Sequence, residues 1–145
     1  MRPGRPAGCG PIQTAAPEHS RWVPDLESAE LNYSRRMAHT VIALYRPKPG
    51  READLAKLVA EHVPALRSFG LATRAPVQLL RASDGTLLEI FDWRDAAAVE
   101  SAHGDPRVHA LWGRFEELCE FVTLGGLPEA NGPFPHFERL ASCDD

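Results

Sequence analysis

No apolar run in this 145-residue chain approaches the roughly 18 consecutive residues that a membrane-spanning helix needs. An excess of one charge is missing too. Sixteen basic residues face 20 acidic ones, for a net charge of -4, so no field draws the chain to nucleic acid or to an anionic bilayer. Cysteine is scarce: Cys9, Cys119 and Cys143 cannot all pair within one chain and form no CxxC. That usage fits a reducing cytoplasm and excludes a disulfide scaffold. No GxGxxG is present to cradle a dinucleotide, and no HxH or HxxxH places two histidines side by side for a metal. The expectation is therefore a protein without membrane or nucleic-acid partners, without a metal and without a bound cofactor.

What is present is an ordinary globular composition, 43% hydrophobic and 25% charged, of a length suited to one domain. Residues 1–36 differ from the rest. They hold five of the 13 prolines and few large aliphatics, and up to Pro24 they show neither a 2- nor a 3.6-residue period. A disordered extension is the expectation, with a short helix over Asp25–Arg36. No apolar stretch of signal-peptide type occurs there, and Met37 reads as an alternative start. The functional domain is expected over 37–125, with a tail over 126–145.

From His39 the pattern changes. His39–Arg46 alternates as a strand, and Pro47-Lys48-Pro49-Gly50 ends it. A helix follows with Glu52 and Asp54 in its first turn, where negative charge suits the dipole. Leu55, Leu58, Val59, His62, Val63, Leu66 and Phe69 form its apolar stripe. Pro64 is expected to kink or divide it, and Gly70 to stop it. Val77–Ala82 and Thr86–Trp93 flank Ser83-Asp84-Gly85 as a hairpin. Asp95 caps a short helix with Val99, Ala102 and His103 turned inward. Asp105-Pro106 opens another, with Val108, Leu111, Trp112, Phe115, Leu118 and Cys119 on its stripe. A last strand is expected over Phe121–Leu124, then a tail anchored by Phe134 and Phe137.

The order βαββαβ is that of a ferredoxin-like α+β domain with an antiparallel sheet. Helices would cover one sheet face only. The first and third strands are apolar on both sides, so a homodimer pairing sheet against sheet would bury the other face. The PKPG lead into the first helix, the strand EIFDW, the short helix ending in Ala102-His103 and the run Asp105-Pro106-x-Val108-x-x-Leu111-Trp112 resemble the dimeric α+β barrel proteins. These include the antibiotic biosynthesis monooxygenase-like domains. The resemblance spans about residues 38–125. It implies a small homodimer that uses the cleft between sheet and helices. Members of the group oxidise phenols without a cofactor, bind or degrade haem, or process phenolic catabolites.

Glu89 stands in the middle of an apolar strand, where a carboxylate is costly to bury. Either it pairs with Arg46, Arg81 or Arg94, or it faces the cleft as a base. His62 and His103 lie on inward stripes of two helices expected to cover the same sheet face, so each is a candidate proton carrier beside Glu89. Glu89, His62 and His103 are thus the candidate catalytic residues. Tyr45, Trp93 and Trp112 are candidates to bind a substrate. Two functions compete: a monooxygenase-like or isomerase-like enzyme acting on a small aromatic or enolisable molecule, and a non-catalytic small-ligand binder or dimerising accessory protein.

Overall fold

The computed structural model describes residues 37–140; the expectations for residues 1–36 and for the last five residues lie outside it. The chain forms β1 (His39–Pro47), α1 (Glu52–Ser68), β2 (Gln78–Arg81), β3 (Leu87–Trp93), α2 (Ala96–His103), α3 (Pro106–Leu118), β4 (Cys119–Phe121) and β5 (Glu138–Arg139). The strands make one antiparallel α+β sheet in the order β4-β1-β3-β2-β5. No helix among the described residues is long and apolar enough to cross a membrane.

Local chemistry accounts for the boundaries. Asp95 caps α2 by accepting from the Ala98 N–H at 2.8 Å. Asp105 caps α3, accepting from the Arg107 N–H at 2.9 Å, and Pro106 occupies a first-turn position where its missing donor costs nothing. In the β2–β3 hairpin, Asp84 accepts from the Thr86 N–H at 2.9 Å, and Gly85 takes the positive φ of 92° that a side chain would resist. Gly70, at φ 78°, turns the chain out of α1.

Periodicity decides which residues are buried. Leu55, Leu58, Val59, His62, Val63 and Leu66 of α1 face inward, as do Val108, Leu111, Phe115 and Leu118 of α3. They pack on Tyr45, Leu87, Phe91 and Trp93 of the sheet to make the main core. Phe115 and Leu55 are fully buried, each stabilising the fold by about 1.5–3 kcal/mol. Cys119 is a buried core thiol, donating to the Phe115 carbonyl at 3.2 Å.

Several expectations are corrected. Of the two expected effects of Pro64, division does not occur: α1 runs as one helix from Glu52 to Ser68, and burial of the residues on both sides holds it despite the missing donor. The fourth strand is Cys119–Phe121, starting two residues and ending three residues earlier than its apolar run suggested, because α3 ends at Leu118 and the chain reaches β1 at once. Leu124 already lies in a 3-10 turn. The second sheet face is covered in part by this chain itself. Leu127 packs on Leu44, Ala82 and Leu88, joined by Leu80, Val122 and Phe137. β5 then pairs with β2 at the sheet edge. Phe137 is one anchor of this tail, but Phe134 is not, being 79% exposed in a loop between Pro133 and Pro135.

Candidate functional site

The register of β1 on β3 sets Ala43 opposite Glu89 and Tyr45 opposite Leu87. Tyr45 and Glu89 are therefore diagonal neighbours on the helix face, within reach of a long side chain. The Tyr45 hydroxyl donates to Glu89 Oε1 at 2.8 Å. From α1, His62 brings Nδ1 to the same oxygen, also at 2.8 Å. Glu89 is 0% exposed, and His62 and Tyr45 are each 3% exposed. Burial in first place, then the Glu89 charge and the hydrogen bond to it, hold the Tyr45 phenol protonated well above its usual pKa. Glu89 Oε2 is buried without a hydrogen-bond partner.

The Trp112 indole N–H points at His62 Nε2, 3.4 Å away. An indole nitrogen only donates, so Nε2 is the accepting nitrogen of the ring. Nδ1 then carries the proton and gives it to Glu89. This tautomer leaves the basic nitrogen of His62 on the side away from the carboxylate. The ring is held edge-on by Phe115 and Phe91, with centroids at 5.0 and 5.5 Å.

A cavity of about 400 Å³ opens beside this ring, lined by Tyr45, His62, Phe91, Trp93, Trp112 and neighbouring residues of β1 and β4. The polar arrangement is layered: Glu89 lies behind His62 and does not line the cavity. Four of the six candidate residues thus meet at one cavity, with Glu89 as a fifth beneath it. His103 is not among them. α2 buries Ala98 and Ala102 instead, which leaves His103 exposed on the last turn, where its ring meets Trp112 edge-on at 5.6 Å. His109 donates from Nε2 to the His103 carbonyl. The proposed arginine partners of Glu89 are engaged elsewhere: Arg46 with Asp84 and Glu120, Arg81 with Glu138, and Arg94 with Asp95.

No family model, no curated protein and no solved structure matches this chain. Sequence reasoning assigned Tyr45 to substrate and missed its bond to Glu89. The signal was available, since the two residues share a face one register step apart, but only once the β1–β3 pairing is known. Among the described residues, no group of three or more His, Cys, Asp or Glu side chains is placed to hold a metal ion.

Proposed function

We propose that the protein is a small-molecule enzyme that removes a proton from an aromatic or enolisable substrate in the sheet–helix cavity. The observation that carries this reading is the 2.8 Å contact between His62 Nδ1 and Glu89 Oε1, with the opposite ring nitrogen facing Trp112, which like His62 lines the cavity. In that arrangement His62 Nε2 is the base. Glu89 fixes its tautomer and stabilises the imidazolium that forms, while Tyr45 holds Glu89 in place. The substrate carbanion then has two exits. Return of the proton to a second carbon gives an isomerase-like reaction. Transfer of electrons from the carbanion to dioxygen, with oxygen insertion and loss of water at a methylene carbon, gives a monooxygenase-like one; neither requires a flavin or a metal. His62, Trp93 and Trp112 form the walls against the substrate.

The strand order β4-β1-β3-β2 and the β-α-β-β-α-α-β succession support a ferredoxin-like domain of the dimeric α+β barrel type. The exposed Phe134 and the partly covered second sheet face support a homodimer. The charge balance and cysteine usage support a cytoplasmic site of action. One observation favours the non-catalytic alternative: Trp112 already donates to His62 Nε2. At 3.4 Å that bond is long, and a substrate that engages Nε2 displaces it.

The test is deuterium incorporation from D2O, followed by NMR, across a panel of enolisable aryl ketones and phenols, with dioxygen uptake measured alongside. The wild-type chain accelerates exchange of at least one member. His62→Gln lowers that rate by about 10²–10⁴-fold, the usual worth of a positioned base. Unchanged kinetics in both His62→Gln and Glu89→Gln would sink the assignment.

A further inference from the structure

The cavity at His62 follows an open strand edge. β4 pairs with β1 only over Tyr45–Pro47, and the Val122 N–H adds one bond to the Leu44 carbonyl at 3.3 Å. Main-chain groups along a strand alternate between its two sides. Ile42, two residues before Leu44, therefore turns its N–H and C=O to the same side as Leu44, beyond the point where β4 ends. Among the described residues, neither group of Ile42 has a hydrogen-bond partner.

The cavity touches all five consecutive residues from Val41 to Tyr45. Val41, Ala43 and Tyr45 point to the helix face, Ile42 and Leu44 to the other. A cavity that meets both sets runs along the strand's main chain. The edge is also undefended. Between His39 and Arg46, β1 has no charged residue and no proline, the usual devices that keep an edge from accepting a further strand. Ile42 itself is 42% exposed.

This edge selects a ligand chemistry. Within the cavity one strand residue, Ile42, presents a donor and an acceptor; Thr40, which alternation sets on the same side, does not line it. The complement of Ile42 is a unit with an N–H and a C=O flanking one carbon. A carboxylate answers only the donor, and no lysine or arginine lines the cavity to receive an anion. A phenol or simple ketone answers one group and leaves the other. Around His62 the walls are aromatic, from Phe91, Trp93, Trp112 and Phe121.

We propose that the ligand of this site is an aromatic compound bearing an extended acylamino-carbonyl group, –CO–NH–CHR–CO–, which pairs with the Ile42 main chain as one residue of an added strand. The ring enters the cavity beside Trp112 and His62. The proposal rests on the reading of the His62 cavity as the ligand site, and not on the proton transfer assigned to it.

The test is a titration of the ¹⁵N-labelled full chain with N-acetyl-L-tyrosinamide as probe. The Ile42 amide signal moves downfield, its solvent exchange slows roughly tenfold at saturation, and the Trp112 indole signal moves with it. An ester analogue, with oxygen in place of the acyl N–H, binds roughly tenfold more weakly, the worth of one hydrogen bond. Ile42→Pro removes the donor on the side where no ladder bond is lost, and weakens the amide probe to a similar degree. If that variant does not fold, the ester comparison decides. A shift at Trp112 without one at Ile42 overturns the proposal and leaves the cavity as a ligand site. Shifts at both, in a protein that transfers no proton, uphold the proposal and count against the catalytic reading alone. Equal binding of amide and ester, or no shift at either residue, overturns it.

Discussion

The two faces of the sheet are built on different terms. On the helix face, alternate residues of β3 place Glu89 among Leu87, Phe91 and Trp93, and every one of these side chains is buried. Removal from water is complete there, and the polar group survives because two donors converge on it. On the opposite face, Leu44, Leu80 and Leu88 meet Leu127 and Phe137 of the returning tail. That cover is partial: a second cavity of about 500 Å³ remains between sheet and tail. The first face holds a desolvated polar group beneath its own cavity of about 400 Å³, where hydrogen bonds are strong and their loss is costly. The second is apolar and only half closed. The proposed chemistry lies on the first face and the proposed association on the second.

Truncation of the packing separates the faces most sharply. Phe115→Ala, at a fully buried position, costs about 3–5 kcal/mol in urea unfolding, because a core cavity follows the lost transfer energy. Phe137→Ala costs about 1–2 kcal/mol, since the ring is only half buried and its neighbours can close over the space. Similar losses at the two positions would erase the distinction.

Glu89→Gln is the next test in size. The amide keeps an acceptor for Tyr45 and His62, but it sets an N–H₂ where the partnerless Oε2 now lies. About 1–3 kcal/mol of stability is lost, because the bonds from Tyr45 and His62 are no longer made to a charged acceptor. Thermal unfolding of the pure variant measures it. A stability equal to the wild type would mean that the carboxylate charge is not used.

How much of this was legible beforehand follows from the same contrast. The 3.6-residue stripe of α1 identified His62 as inward, and the alternation of β3 identified Glu89 as buried, since both signals come from packing against a continuous apolar layer. Tyr45 was placed on the right face without its bond to Glu89, because that bond depends on the β1–β3 register, a long-range fact. His103 failed because α2 is a single short helix whose burial comes from two alanines, and a histidine one position beyond Ala102 falls outside their narrow stripe. The β4 boundary failed because Cys119 continues the helical period of α3 while the backbone has already extended. The tail carried no period at all. Its path is set by Leu127 and Phe137 finding the open face, and by β5 finding the edge of β2.

A smaller effect appears with pH. Burial raises the Cys119 thiol from 9.0 to about 11 and holds Tyr45 well above its usual value. Both folded-state values lie above the unfolded ones, so the fold binds these protons more tightly than the unfolded chain does. Their contribution is fully present below pH 9. It declines as the unfolded thiol and then the unfolded phenol ionise, and it is gone once the folded groups ionise too. Urea unfolding between pH 8 and 11 should show a falling stability that flattens in Cys119→Ala combined with Tyr45→Phe. An unchanged slope would mean that other groups govern the alkaline limb.

The smallest change belongs to Phe134. Its ring touches little of its own chain, so Phe134→Ser should alter the unfolding free energy by less than about 0.5 kcal/mol, as surface changes usually do. The same substitution tests what completes the second face. If a second copy covers it, the wild-type melting temperature rises with protein concentration, because association stabilises the folded state by mass action. Phe134→Ser then flattens that dependence and shifts sedimentation toward the monomer, while leaving stability at low concentration unchanged. A wild-type protein whose melting temperature and sedimentation do not vary with concentration is a monomer with an incomplete second face. In that event the comparison of faces stands, but association loses its claim on the apolar one.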